Sequence, residues 1–582
     1  MAIIFGKRYR DSRVVLTVFA VLLLIFVYRS HSADDAVEFQ SLQPPAPKKK
    51  TGTKEIQPHL QQEGWLSSKM SRCANYLDYS QQMHKPLSSG SLKLPYMRPP
   101  ESCRTFSSAA VEKVILDLKE RVRDPDLSRL IENCLPNTLD TTILWHDSSK
   151  TDPRTFVVTG DIHAEWLRDA ARQLSVYQPM ARYDPALQLM IKGAIAQQAN
   201  YILKAPYCNA FQPPLKSNVK RKPSTVDYVS PPPPWRHVFE CKWEIDSLAS
   251  FLTLSNDYYD NTDDTSFMTK EWFSAMEMVL VILQRESSPT FDSRGNILPF
   301  YYSFQRDTRI GTETLPLAGT GNPVNFDTGL VRSAFRPSDD ACTFQLFVPG
   351  NAQMYVELNR VIPLLSNAGQ AKLAKVASGF AKNIRNGIYQ HAIVNHPVYG
   401  KVFAYEVDGY GSASFMDDAN IPSLLSLPDL GFVEKTDSIY RATRKMIMAK
   451  KGNPYYLEGA FFKGIGGPHI GINNAWPMSL LIAIRTTDND DEIAGYLTTL
   501  MKTTGRLGLM HESIDVNSRG GMSYTRPWFA WANSEFGKTI LDLAKRKPHL
   551  IFNSEYAQTP YDVDEAMKAA GLVKAAPAAK AT

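Results

Sequence analysis

About twelve segments of this chain carry apolar residues at helical spacing, and no strong strand-like alternation recurs between them. Amphipathic helices in that number bury their apolar stripes against one another. The segments are 107–122, 169–177, 184–203, 244–258, 266–285, 350–361, 369–388, 422–427, 435–448, 474–485, 491–501 and 526–544. Asp184-Pro185 shows how one of them begins. The aspartate accepts from free amides, and proline at the first helical position forfeits no hydrogen bond. Long loops rich in Gly and Pro join part of the set. Helical hairpins with functional loops gathered at one end suit a toroid of paired helices.

Outside this region the chain changes character. Residues 14–28 are apolar throughout, with Thr17 and Tyr28 the only partly polar members, and Lys7, Arg8, Arg10 and Arg13 precede them. That pattern predicts a cytoplasmic tail (1–13) and a signal anchor (14–28) of about 22 Å. Arg29-Ser30-His31-Ser32-Ala33 is a poor cleavage site, which argues against a cleaved signal peptide. Residues 29–65, with Pro44, Pro45, Pro47 and Lys48–Lys50, read as a lumenal stem. A large domain over 66–550 and a C-terminal tail over 551–582 complete the division, the Ala- and Lys-rich 568–582 run reading as solvated. The expected location is a type II membrane protein of the secretory pathway, in Golgi or endoplasmic reticulum, with the domain lumenal. Residues 213–235 read as an exposed Pro- and Lys-rich loop. The net charge of +6 is concentrated in the N-terminal tail, the 48–50 lysines and the 216–222 stretch. No aromatic-plus-basic array for nucleic acid accompanies it. The cysteines at 73, 103, 134, 208, 241 and 342 suit an oxidising lumen, but spacing does not choose among their pairings. No CxxC occurs, which argues against a structural zinc site.

Five clusters of acids and aromatics fall in expected loops or at helix starts. Gly160-Asp161-Ile162-His163-Ala164-Glu165-Trp166-Leu167-Arg168-Asp169 is the densest. Sugar hydroxyls take carboxylates and guanidinium, and the apolar face of a sugar ring takes an aromatic. A solvated helix start with a few ion pairs is the competing reading. The second cluster is Glu240–Asp246. The third, Phe335-Arg336-Pro337-Ser338-Asp339-Asp340, sets two carboxyls side by side, where each raises the other's pKa. A protonated carboxyl can donate to a leaving oxygen while Arg336 holds its partner ionised. The fourth is Met416-Asp417-Asp418-Ala419-Asn420. The fifth joins Leu509-Met510-His511-Glu512-Ser513 to Arg526-Pro527-Trp528-Phe529-Ala530-Trp531. Of its two tryptophans, Trp531 reads as core and Trp528 as pocket wall. A glycine-rich loop over 464–468 brings His469 and Trp476 to the same region. Two carboxyls from distant parts of the chain, with aromatics and Arg/Asp pairs, are the equipment of glycoside hydrolysis. There is no Gly-x-Ser-x-Gly, phosphate-binding loop or His-Glu-x-x-His motif. Asp488-Asn489-Asp490 and Asp562-Val563-Asp564 read as helix starts rather than metal motifs.

Thr159–Ile162, Trp166–Asp169, Phe335–Asp340, His511–Ser513 and Arg526–Asn533 together resemble glycoside hydrolase family 125, in its membrane-anchored fungal branch, the meiotically up-regulated protein 157 group. The resemblance spans about residues 65–550. It implies an all-α (α/α)6 barrel and an exo-acting α-1,6-mannosidase that works with inversion, without metal or cofactor, on mannose-containing glycans. It puts the general acid on Asp339 or Asp340, with Asp340 the first choice, and the general base on Glu512. The residues expected to hold substrate are Asp161, Trp166, Arg168, Asp169, Arg336, Asp417, Asp418, Asn420, His469, Trp476, Arg526 and Trp528. His163 and Glu165 depart from the family pattern. The competing readings are a metal-dependent lumenal mannosidase or glycosyltransferase and a non-catalytic mannose-binding membrane protein.

Overall fold

A computed structural model describes residues 73–572. The main helices are α1 (Ala109–Arg121), α2 (Pro125–Cys134), α3 (Leu167–Ser175), α4 (Pro185–Lys204), α5 (Ile245–Thr262) and α6 (Lys270–Glu286). They continue as α7 (Val348–Asn367), α8 (Ala371–His391), α9 (Ser438–Ile447), α10 (Pro477–Arg485), α11 (Asp490–Lys502), α12 (Ala530–Arg546) and α13 (Val563–Ala569). Side-chain oxygens start many of them. Ser108, Asp124, Asp184, Thr269, Asp437, Asn489 and Asp562 each accept from backbone amides of the first turn.

Burial sorts the helices into two layers. Every residue of α3 and α10 is buried, as a helix covered all round requires, whereas α8 and α11 bury only one stripe. The inner layer runs α12–α3–α5–α7, and α10 packs on α12. The outer layer backs it, with α8 on α7, α11 on α10, α4 on α5, α6 on α4 and α2 on α12. The gap between α7 and α10 is filled by residues 422–430, which form turns instead of the expected short helix. Asp417 takes the place of a cap there, accepting from Leu424 N at 2.8 Å and Leu425 N at 3.3 Å. The architecture is the expected helical toroid with one inner position unwound.

Short strands precede the inner helices. β1 (Glu165–Trp166), β2 (Ala210–Phe211) and β3 (Val238–Glu240) form an antiparallel sheet beneath the starts of α3 and α5, with Trp166 opposite Ala210 and Ala210 opposite Glu240. β4 (Leu346–Phe347) leads into α7 and pairs with β5 (Glu406–Val407), which pairs with β6 (Ala413–Ser414). β7 (Asn474–Ala475) leads into α10 and pairs with β8 (Ile514–Asp515), just after Glu512. Two-residue strands lack the length for periodicity, so the sequence carries no sign of them.

Disulfides join Cys73 to Cys103 and Cys208 to Cys241, while Cys134 and Cys342 are buried thiols. Residues 551–572, expected as part of a C-terminal tail, fold back onto the body. Met567 is buried, α13 packs on α1, and Tyr561 donates to Asp117 at 3.1 Å. Residues 213–235 form a partly exposed loop in which 227–230 pair with 303–306. The expected cytoplasmic tail, anchor and stem lie outside the described residues. No described helix is long and apolar enough to cross a membrane.

Candidate active site

The starts of α3 and α5 meet at Arg168. Its Nη1 donates to Glu244 Oε2 at 2.6 Å and Asp246 Oδ2 at 3.3 Å, and its Nη2 lies 3.3 Å from Asp169 Oδ2 and 3.4 Å from Asp339 Oδ1. The Trp531 ring lies 5.5 Å from the guanidinium. Helix N-termini favour acids, which explains why three of these four carboxyls stand within the first turn or at its cap. Asn209, immediately before β2, donates to Glu240 at 3.2 Å and to both Glu244 and Asp339 at 3.3 Å. Its Oδ1 accepts from Lys242 N at 3.0 Å, and Lys242 Nζ donates to the Asp339 carbonyl at 2.8 Å. The Cys208–Cys241 bridge flanks both Asn209 and Lys242.

Asp339 and Asp340 face different surroundings because Asp339 is left-handed, at φ 66°. The Asp339 side chain is 33% exposed, whereas that of Asp340 is 1% exposed and accepts from His469 Nδ1 at 2.7 Å. Burial disfavours the charged form of Asp339. The Arg168 and Lys242 charges outweigh it and hold the carboxyl below its ordinary range. Burial opposes charge on His469 as well, but Asp340 outweighs that and raises the ring to about 9. His469 is therefore an imidazolium at neutral pH.

Glu512 stands on another wall, 16% exposed. Its Oε2 accepts from Thr525 Oγ1 at 2.8 Å, and Arg526 Nη1 lies 3.5 Å from Oε1. The same Arg526 donates through Nε to Asp161 Oδ1 at 2.7 Å and lies over the Phe529 ring at 4.7 Å. Gly160 (φ 140°) is needed here. A Cβ would sit 3.4 Å from the Trp528 indole in a backbone conformation that side chains avoid. His511 stacks on Tyr524 at 4.0 Å, and burial pushes its pKa down to about 4. A neutral ring with its proton on Nδ1 donates to the Arg526 carbonyl at 2.9 Å.

Several expected contact residues are buried and bonded within the protein. Asp417 is fully buried against the 422–430 turns. Asp418 accepts from Ser338 Oγ at 2.6 Å and from Asn420 at 3.0 and 3.1 Å, so Asp418 and Asn420 brace the 335–340 loop. Arg336 is buried and donates to Glu406 at 2.8 Å. Asp417, Asp418 and Asn420 have found partners in the protein, whereas Nη1 of Arg336 is buried without one. Trp166, Trp476 and Trp528 are each at most 6% exposed and form wall rather than open surface. Trp528 meets Tyr76 edge-on at 4.9 Å. Glu165 is fully buried and accepts from Val157 N at 3.1 Å. Asp161, Arg168, Asp169, His469 and Arg526 join Asp339 and Glu512 around the site. Asn209, Lys242, Glu244 and Asp246 belong to it as well, although sequence reading had not placed them there. The density of acids over 240–246 was the available signal. Asn489 and Asp562 are helix caps, as expected. Among the described residues, no group of three or more His, Cys, Asp or Glu is arranged to hold a metal ion.

A family model described as metal-independent α-mannosidase (GH125) matches residues 124–541. The chain belongs to glycoside hydrolase family 125. It is 54% identical over 481 residues to the meiotically up-regulated gene 157 protein of Schizosaccharomyces pombe, covering 82% of this chain and 94% of that protein. A family 125 α-mannosidase from Streptococcus pneumoniae, solved in a non-productive complex with α-1,6-mannobiose, shares 33% identity and a TM-score of 0.68. That match covers 75% of this chain and 99% of the pneumococcal one. The chain is thus a glycoside hydrolase.

Proposed function

We propose that this family 125 enzyme is an exo-acting α-1,6-mannosidase that inverts the anomeric centre, with Asp339 as general acid and Glu512 as general base. The observation that carries the assignment is the one-third exposure of the Asp339 carboxyl beside a sealed Asp340. Asp339 gives a proton to the glycosidic oxygen, and Glu512 takes one from the attacking water. Asp161, Arg168, Asp169, His469 and Arg526 hold the hydroxyls of the terminal mannose. The mannobiose in the pneumococcal relative supports the α-1,6 linkage. The test follows hydrolysis of α-1,6-mannobiose by NMR, with and without EDTA. First-formed β-mannose at an EDTA-insensitive rate is expected. First-formed α-mannose rules out inversion, loss with EDTA rules out metal independence, and no release rules out the substrate.

We also infer a type II orientation in the secretory pathway, from the basic residues ahead of 14–28. The two disulfides support an oxidising lumen. Retention in carbonate-washed membranes and protection from added protease are the expected results. Release by carbonate overturns the anchor.

A further inference from the structure

Asp339 alone makes a poor acid, because Arg168 and Lys242 favour its ionised form. Glu244 lies against it. One amide nitrogen of Asn209 donates to both carboxyls at 3.3 Å, and the two terminal nitrogens of Arg168 reach one carboxyl each. Glu244 Oε1 and Asp339 Oδ1 are thus held side by side on one nitrogen. Like charges held this close disfavour joint ionisation, so one proton between the two carboxyls is favoured.

The surrounding charges require the same proton. Asp169, Glu244, Asp246 and Asp339 face Arg168 and Lys242, and Lys242 is also 3.4 Å from Glu240. Arg306 answers Glu240 at 2.7 Å from the far side. His469 faces Asp339 and Arg526 faces Asp169. Four buried or half-buried acids against two adjacent cations leave negative charge uncompensated if all ionise. Glu244 is fully buried. Burial, Asp339 and Asp246 drive its pKa far up against the pull of Arg168.

On the reading that Asp339 is the general acid, we propose that Glu244 stores the catalytic proton and that Asp339 and Glu244 act as one acid. Glu244 Oε2 is taken by Arg168 and by Ser247 Oγ at 3.0 Å, which leaves Oε1 to carry the proton toward Asp339. As the glycosidic C–O bond breaks, its electron pair stays on oxygen. Glu244 passes its proton to Asp339, and Asp339 delivers it to that oxygen. The pair ends one proton short, Glu512 holds the proton removed from water, and exchange with solvent restores both.

The experiment compares pH profiles of kcat/KM on α-1,6-mannobiose and on 2,4-dinitrophenyl α-mannoside, whose leaving group needs no proton. Glu244→Gln moves the alkaline limb on mannobiose to lower pH. It costs about 10- to 100-fold at pH 7 there, but less than about threefold on the activated mannoside. An unmoved limb, or equal losses on both substrates, overturns the inference. Ser247→Ala takes a donor from Glu244 without touching Asp339, so it moves the limb up by about half a pH unit. If Glu244→Gln does not fold, an unmoved limb in Ser247→Ala overturns the inference by itself. Asp339→Asn separates the two claims. If it keeps full activity on mannobiose, the acid assignment fails and the inference with it. If it is inactive while the Glu244→Gln profile matches wild type, only the shared proton fails.

Discussion

Asp339 and Asp340 adjoin in the chain, yet only the Asp339 side chain is open to solvent. Asp339→Asn and Glu512→Gln are each expected to lower kcat on mannobiose by about 10²- to 10⁴-fold with an unchanged melting temperature. Asp340→Asn acts through His469. Losing that carboxylate lets burial dominate, so the ring falls from about 9 toward or below its ordinary 6.5. Titration of the His469 ring protons by NMR checks this, and an unmoved pKa would sink the pairing. The motifs at 335–340, 509–513 and 526–531 were legible because acids, arginines and tryptophans crowd there at a density that cores do not carry. Their facing was not legible. It is set at Asp339 by a left-handed φ of 66°, which no residue type announces outside glycine. It is set at Asp417 and Asp418 by backbone and side-chain donors from other loops.

At the scale of elements, the inner helices are joined below the site by a four-residue ionic network. Arg172 reaches Glu535 at 2.7 Å and Asp429 at 3.2 Å, while Arg485 reaches Glu535 at 2.6 Å and Asp429 at 2.8 Å. It ties α3, α10 and α12 to the unwound 422–430 segment. Glu535→Gln removes half of the negative charge from two buried guanidiniums. It should cost about 3 kcal/mol in denaturant unfolding, and no loss would mean that water reaches the network. The Cys208–Cys241 bridge affects function as well as stability. The double variant Cys208→Ala/Cys241→Ala should lose about 3–4 kcal/mol. It should also lower kcat at temperatures where it is fully folded, because Asn209 and Lys242 lose their register beside Asp339. Unchanged kcat would confine the bridge to stability. Helical periodicity revealed most of these elements, since an apolar stripe is a local record of a buried face. It missed α2, although Asp124-Pro125 starts it just as Asp184-Pro185 starts α4. It also gave a helix to 422–427, where caps and tertiary hydrogen bonds favour turns.

For the whole molecule, the buried acids set how stability varies with pH. Burial raises Asp246 to about 6, Asp169 and Glu286 to about 7 and Asp417 to about 8, and it raises Glu165 and Glu244 well above the ordinary carboxyl range. A carboxyl whose folded pKa exceeds its unfolded value binds its proton more tightly in the native state. Its contribution is complete below the unfolded value and is lost as pH rises through the folded one. His469, raised to about 9, has the same sign in a window from 6.5 upward. Asp429 and Glu535 have the opposite sign. Burial opposes their charge, but arginines overcome it and hold both carboxyls below their ordinary range, so their contribution is present above about pH 4 and lost in stronger acid. The two sets meet in mild acid. Calorimetry across pH should therefore find the highest melting temperature at about pH 5–6, with a decline toward pH 8. Asp417→Asn carries no charge to bury, so its decline over the same interval should be shallower. A maximum at pH 8 or above, or an Asp417→Asn curve parallel to wild type, would mean that these acids ionise inside the fold without penalty.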